Sequence, residues 1–316
     1  MRELGRTGRW GGWWALLVAV AGACSCSPDP TLRIFFAVGG TVDGTILDYT
    51  SPDHPYDFIE ATMGARLKEG GFGDVRIRIE RGWICADLPR GREGAADRIV
   101  RLLTAPGQIE LRVVLSPDDG FDLPAEAAKF SAWRALHPTH RPEWFSTIAD
   151  SSGPPGGIRW VGLWRNGGLA ALSPITVGGL AFEDAAPLRY EEDLRERFDW
   201  VFTQADLARA RPASVDGGPG RPDLPGIRLE FAKNRRRAFT EFTGRFVGHP
   251  LAVVWDGEIR STALLAEPLP GEMVWAPPPR AAFSAEERDD RVAILNGGAL
   301  RWKIRESWRK VLEGRK

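Results

Sequence analysis

Apolar residues at alternate positions, Leu32, Ile34, Phe36 and Val38, predict a half-buried strand near the start of the chain. The period then lengthens. Phe58, Ile59, Met63 and Leu67 recur at helical spacing, and Gly70-Gly71 ends that segment with residues that accept positive φ. Val75, Ile77 and Ile79 alternate with Arg76, Arg78 and Glu80, and Arg81-Gly82 turns the chain into Ile84, Ala86 and Leu88, closed by Pro89. This pattern predicts an antiparallel hairpin with one solvated face. A second amphipathic helix on Ala96, Ile99, Val100 and Leu103 stops at Pro106-Gly107 and leads into a strand on Ile109, Leu111, Val113 and Leu115.

The order β-α-β-β-α-β is that of a split, ferredoxin-like unit, in which two helices cover one face of a four-stranded antiparallel sheet, and the chain is expected to be α+β. Residues 117–182 show no comparable order: they are rich in Pro and Gly, as in 152–157, with one short strand signal over 158–164. Regular patterning returns after Glu183 with a charged helix start at Glu191 to Arg197, a polar loop near 216–225 and a strand on Ile227, Leu229 and Phe231. Phe239, Phe242 and Phe246 share one helix stripe and are assigned to the core. Strands over 251–255 and 259–265 meet at Asp256-Gly257, the dipeptide of a type I′ hairpin, because both turn positions need positive φ. Ser284 to Glu287 forms a capping box for a helix to Asn296, ended by Gly297-Gly298. Leu300, Trp302 and Ile304 alternate as a last strand, before a charged tail expected to be helical from Glu306-Ser307-Trp308.

At 316 residues the chain is long enough for about two folding units. Its 42 Lys+Arg balance 42 Asp+Glu, which favours neither a disordered tail nor a nucleic-acid-binding surface. The first 23 residues change the compartment. Arg2, Arg6 and Arg9 precede the apolar stretch Trp13 to Val20, too short to span a bilayer, so a cleaved export signal is expected over 1–23, with a mature net charge of about −2. Cys24 follows Ala21-Gly22-Ala23, an arrangement resembling a bacterial lipobox and making Cys24 the candidate lipidation site. Ala21 stands where a lipobox usually has Leu, and the same small residues suit ordinary signal cleavage. Residues 24–30 read as a linker, and Cys26 and Cys85 are either a disulfide or two free thiols, since three cysteines make no disulfide framework.

Three blocks, in order, carry a resemblance to the large first periplasmic domain of SecD and SecDF, bacterial protein-export membrane proteins. The first is 57–115, with its Gly-ended helix, two short strands and Gln108-Ile109-Glu110-Leu111-Arg112; the second is 227–268, with Phe239, Phe242, Val247-Gly248, Leu251 to Val254, Asp256-Gly257 and Glu267-Pro268; the third is 283–304. The resemblance implies a ferredoxin-like base with an antiparallel sheet and an inserted α+β head: base over 31–116, an irregular insertion over 117–182, head over 183–280, and a return to the base with a C-terminal tail over 281–316. It also implies a passive module on the periplasmic side of a membrane, engaging a polypeptide substrate or the Sec translocation subunits, and Cys24 read as lipidated would hold that module by a lipid anchor. The family's proton-coupled membrane helices have no counterpart here. The other reading is an envelope structural or regulatory lipoprotein that keeps the fold without an export role.

Catalytic signatures with understood mechanics are absent from the sequence: no Gly-x-Ser-x-Gly, no phosphate-binding loop, no His-Glu-x-x-His and no Cys-x-x-Cys. A non-enzymatic protein with no cofactor or metal is expected. His137 and His140 are read as loop histidines because Pro138 interrupts helical spacing. Lys233, Arg235, Arg236 and Arg237 are read as a solvated helix face, and Trp160, Trp164, Trp255 and Trp275 as core or half-buried, with a partner-facing surface as the alternative.

Overall fold

A computed structural model describes residues 30–41, 55–142, 145, 158–166, 169–170, 172–189, 202–218, 220, 222–300 and 302–312. The expected signal segment, Cys24, Cys26 and the helix start at 191–197 lie outside the described residues. In chain order the elements are β1 (Pro30–Thr41), α1 (Pro55–Glu69), β2 (Arg76–Glu80), β3 (Trp83–Pro89), α2 (Ala96–Thr104), β4 (Ile109–Val113), α3 (Leu123–Leu136), β5 (Ile158–Gly162), β6 (Arg165–Asn166), β7 (Leu169–Ala170), β8 (Ile175–Val177), β9 (Leu180–Phe182), β10 (Ala185–Arg189), β11 (Phe202–Thr203), β12 (Leu207–Val215), β13 (Leu224–Phe231), α4 (Lys233–Arg245), β14 (Pro250–Trp255), β15 (Glu258–Leu264), β16 (Glu272–Trp275), α5 (Ala285–Gly297) and β17 (Trp302–Val311).

The first sheet runs β17-β1-β3-β2, every neighbour antiparallel. Ile34, Phe36, Ile84, Ala86 and Leu88 point to one side, into a core shared with Ile59, Met63, Leu67, Ile99, Leu103 and Ala293 of α1, α2 and α5. Arg81 and Gly82 take φ of 51° and 83° between β2 and β3, as the hairpin reading requires. Leu32 pairs with Val311, so β1 begins and β17 finishes at the same corner of the sheet.

Two expectations are corrected here. The strand over Ile109–Leu115 does not complete this sheet; β17 takes the place beside β1, and β4 pairs with β14 and β11 instead. The reason is that β4 is buried on both faces, so its alternation does not identify its partner. The tail expected as a helix from Glu306 is strand: β17 continues to Val311, Trp308 stacks on Phe35 with ring centroids 3.6 Å apart, and Arg309 reaches Asp97 of α2 at 2.6 Å. Pairing with β1 supplies contacts that a charged, isolated helix lacks.

The second sheet, β11-β4-β14-β15, is a wall between two cores. Ile109, Leu111, Val113, Leu251, Val253 and Trp255 face the first core, together with Phe202, Phe231, Phe239, Phe242 and Phe246. Ala252, Val254 and Ile259 face a second core built with Phe130, Trp160, Phe182, Ala186 and Leu188. The region 117–182 therefore contributes α3, β5 and short strands to a layer over the outer side of the wall, although its Gly and Pro conceal that from pattern reading. A third sheet, β12-β13-β16, packs under α5.

Candidate functional site

A sheet edge presents unpaired backbone groups unless side chains or another segment cover it. On β12, Pro212 removes a donor, and Asn296 of α5 closes the middle: its Oδ1 accepts from the Ala210 N–H at 2.8 Å and its Nδ2 donates to the Ala210 carbonyl at 3.0 Å. On β2 the exposed positions are Arg76, Arg78 and Glu80, charges that discourage pairing. β15 differs. Its first half is covered by a parallel bridge between Leu163 and Ile259, with the Trp164 N–H donating to the Ile259 carbonyl at 3.0 Å and the Arg260 guanidinium 4.4 Å over the Trp164 ring. Its second half, Thr262, Ala263 and Leu264, is exposed and uncharged.

The register fixes which groups point outward. Leu265 donates to the His249 carbonyl at 3.0 Å, and the Pro250 carbonyl accepts from Val114 of β4 at 2.9 Å. By antiparallel alternation Ala263 bonds inward to β14, leaving the N–H and C=O of Thr262 and Leu264 directed away from the sheet. Leu264 is 66% exposed, and Val247 is 43% exposed in the turn after α4, where the Gly248 N–H donates to the Leu265 carbonyl at 2.8 Å.

The hairpin carrying β15 is held from below. Asp256 and Gly257 adopt φ of 52° and 83°, the Asp256 Oδ1 accepts from the Gln108 N–H at 2.8 Å, and the Asp256 N–H donates to the Gln108 carbonyl at 2.8 Å. Burial pushes the Asp256 carboxyl above the usual range, against the backbone N–H groups of Gln108 and Gly107 and the more distant charges of Arg66 and Arg260. Close by, Arg66 of α1 is completely buried and donates to the carbonyls of Leu102, Ala105, Pro106 and Gly298. Those carbonyls mark where the chain leaves the first sheet's helices toward β4 and where it returns from α5. Desolvation brings the guanidinium down to about 10, while carbonyls at helix ends favour its charge. Arg291 of α5, likewise lowered to about 10 by burial, lies among the rings of Trp255, Trp275 and Phe283, with centroid distances of 5.2, 5.9 and 4.7 Å.

The residues singled out in the sequence are not gathered into one site. His137 and His140 are 4.9 Å apart, ring to ring, and pack by Trp133. No group of three or more His, Cys, Asp or Glu side chains among the described residues has the spacing to hold a metal. The basic run is tied down: Arg235 pairs with Asp206 at 2.7 Å, Arg236 donates to the Phe231 carbonyl at 3.0 Å, and Arg237 pairs with Glu241 at 2.7 Å. Trp160, Trp255 and Trp275 are core residues, and Trp164 is half-buried. Cys85 is a buried free thiol in β3, its ionisation opposed chiefly by burial. A cleft of about 220 Å³ beside the Asp256-Gly257 turn is lined by Arg134, Arg165, Asp184 and Glu258 among others, with Arg165 paired to Asp184. It is smaller than ordinary ligand pockets, and the Arg165–Asp184 pair neutralises part of its lining. Pattern reading missed the β15 edge and Arg66; the signal for Arg66 was its place on the apolar stripe with Ile59 and Met63.

No protein-family model matches the chain. One hundred residues are 32% identical to the protein translocase subunit SecD of Rhodobacter capsulatus, covering 32% of this chain and 17% of that protein, so the chain corresponds to a small part of its relative's length. A crystal structure of SecDF in a super-membrane-facing form superposes with a TM-score of 0.52 at 18% identity, covering 88% of this chain and 30% of the other. A structure described as a membrane component SecDF that enhances protein export gives 0.51 at 18% identity, covering 89% of this chain and 100% of that one. None of the helices among the described residues is long and apolar enough to cross a membrane. The chain is thus similar to SecD in sequence over about a third of its length, and its fold resembles that of the SecDF structures over most of it.

Proposed function

We propose that this protein is a non-enzymatic export-side module, working on the periplasmic face of a membrane, that holds translocating polypeptide in extended form or bears on the Sec machinery. Export of residues 1–23 as a signal and lipid attachment at Cys24 supply its tether. The observation that carries the polypeptide reading is the half of β15 that no other described strand pairs with. A backbone that pairs there gains hydrogen bonds to Thr262 and Leu264 whatever its side chains, and Leu264 with Val247 offers an apolar contact. Sequence-independent capture is what a chain in transit requires. The SecD and SecDF likenesses agree with it.

The test places a photo-crosslinking residue at position 264 in cells carrying an arrested translocating chain. Crosslinks to that chain are expected from 264, and none from the same residue at exposed Lys233 on α4. Thr262→Pro removes an outward N–H without touching the ladder to β14, so it should leave folding intact and lower crosslinking roughly fivefold, about the worth of one hydrogen bond. Unchanged crosslinking in that variant would sink the strand-pairing reading. Crosslinks to stable envelope proteins alone, with no export defect on deletion, would favour the structural-lipoprotein alternative.

A further inference from the structure

We propose that the uncovered face of the β17-β1-β3-β2 sheet is a docking surface for an anionic lipid bilayer. Among the described residues the helices cover only the side that carries Ile34, Phe36 and Ile84. On the other side alternation places Arg33, Arg76, Arg78, Arg305 and Lys310, drawn from three of the four strands. The carboxylates there are Glu80 and Asp87, and both are engaged by Arg33, at 2.7 and 2.6 Å, with Arg78 also 3.3 Å from Asp87. Among the described residues five cations face two carboxylates, in a chain whose basic and acidic residues are equal in number overall, 42 each. Arg76, Arg305 and Lys310 are exposed, and Arg78 has 44% of its side chain in solvent.

Two aromatic side chains distinguish this face from an ordinary basic patch. Trp308 is 45% exposed and Trp83 is 37% exposed, on the same side as the cations, the first backed by its stack on Phe35. Indole rings amid Lys and Arg are the composition that settles at a headgroup layer, where the ring enters the interface and the cations meet anionic lipid. The chain ahead of β1 supplies proximity. Cys24, the proposed point of lipid attachment, stands six residues ahead of Pro30, the corner from which β1 sets out, so a tether there keeps this face within reach of the membrane. The proposal is independent of strand pairing at β15, which lies on a different sheet.

The test follows amide hydrogen exchange of the full chain on vesicles of phosphatidylcholine alone and of phosphatidylcholine with about a third phosphatidylglycerol. Exchange in β2 and β17 should slow on the anionic vesicles only, and recover at high salt. Combining Arg305→Glu with Lys310→Glu should raise the lipid concentration needed for half the effect by about tenfold or more. Trp308→Ser should weaken it without abolishing it. Arg209→Glu with Arg237→Glu, the same charge change on β12 and α4, should leave it unaltered. Equal slowing on neutral vesicles, persistence in the β17 double variant, or slowing of the same strands by a soluble unfolded polypeptide without lipid would each overturn the proposal.

Discussion

Single residues carry more of this architecture than their number suggests, and Arg66 is the clearest case. Arg66→Ala leaves several buried carbonyls without that donor and opens a void among α1, α2 and α5, so it should cost roughly 3–5 kcal/mol of unfolding free energy, read as a lower urea midpoint. Arg66→Lys should recover little, because one ammonium cannot reach carbonyls on two separate chain crossings as a planar fork does. The packing around it is close: a Cβ on Gly297 would lie 2.6 Å from the Arg66 backbone nitrogen. Asp256 gives a prediction of opposite sign to most carboxylates. Burial raises its folded value above the ordinary 3.8, so the buried anion costs stability at neutral pH, and that cost is withdrawn as pH falls through the raised folded value toward 3.8. Asp256→Asn keeps an oxygen for the Gln108 N–H and tolerates the positive φ. It should be at least as stable as the parent at neutral pH, with any advantage shrinking in that acidic window, which unfolding curves at several pH values would show.

At the scale of elements, the sequence was most legible where local chemistry decides the outcome. The capping box at Ser284 and Glu287, the Phe stripe of α4 and the turns at Arg81-Gly82 and Asp256-Gly257 all follow from short-range rules and stand as read. Partner choice was not legible. β4 and β17 have comparable apolar patterns, and only tertiary pairing sends one to the wall and the other beside β1. The β15 edge was hidden for a related reason: Thr262 to Leu264 resemble any strand end until it is known that Leu163 and Trp164 cover one half and not the other. Edge protection is itself testable. Asn296→Ala removes both side-chain bonds to Ala210, so the Ala210 amide should exchange faster and the protein lose about 1–3 kcal/mol. The change should be local to β12 and the end of α5.

For the whole molecule, the shared wall sets how the two cores behave. Val253 and Val254 are neighbours in β14 that face opposite cores, so Val253→Ala and Val254→Ala should each cost roughly 2–3 kcal/mol and lower one common transition. Hydrogen exchange in α1, over the first core, and in α3, over the second, should accelerate together in either variant; separate transitions would show that the wall does not couple them. The corner where β1 starts and β17 stops has a mechanical meaning. Their rungs run from Leu32 opposite Val311 inward to Thr41 opposite Trp302, so tension applied between that start and that stop pulls along the rungs rather than sliding one strand past the other. Such a load breaks the rungs singly, beginning at the corner, and peels β17 from the sheet at lower force than a shearing pull needs.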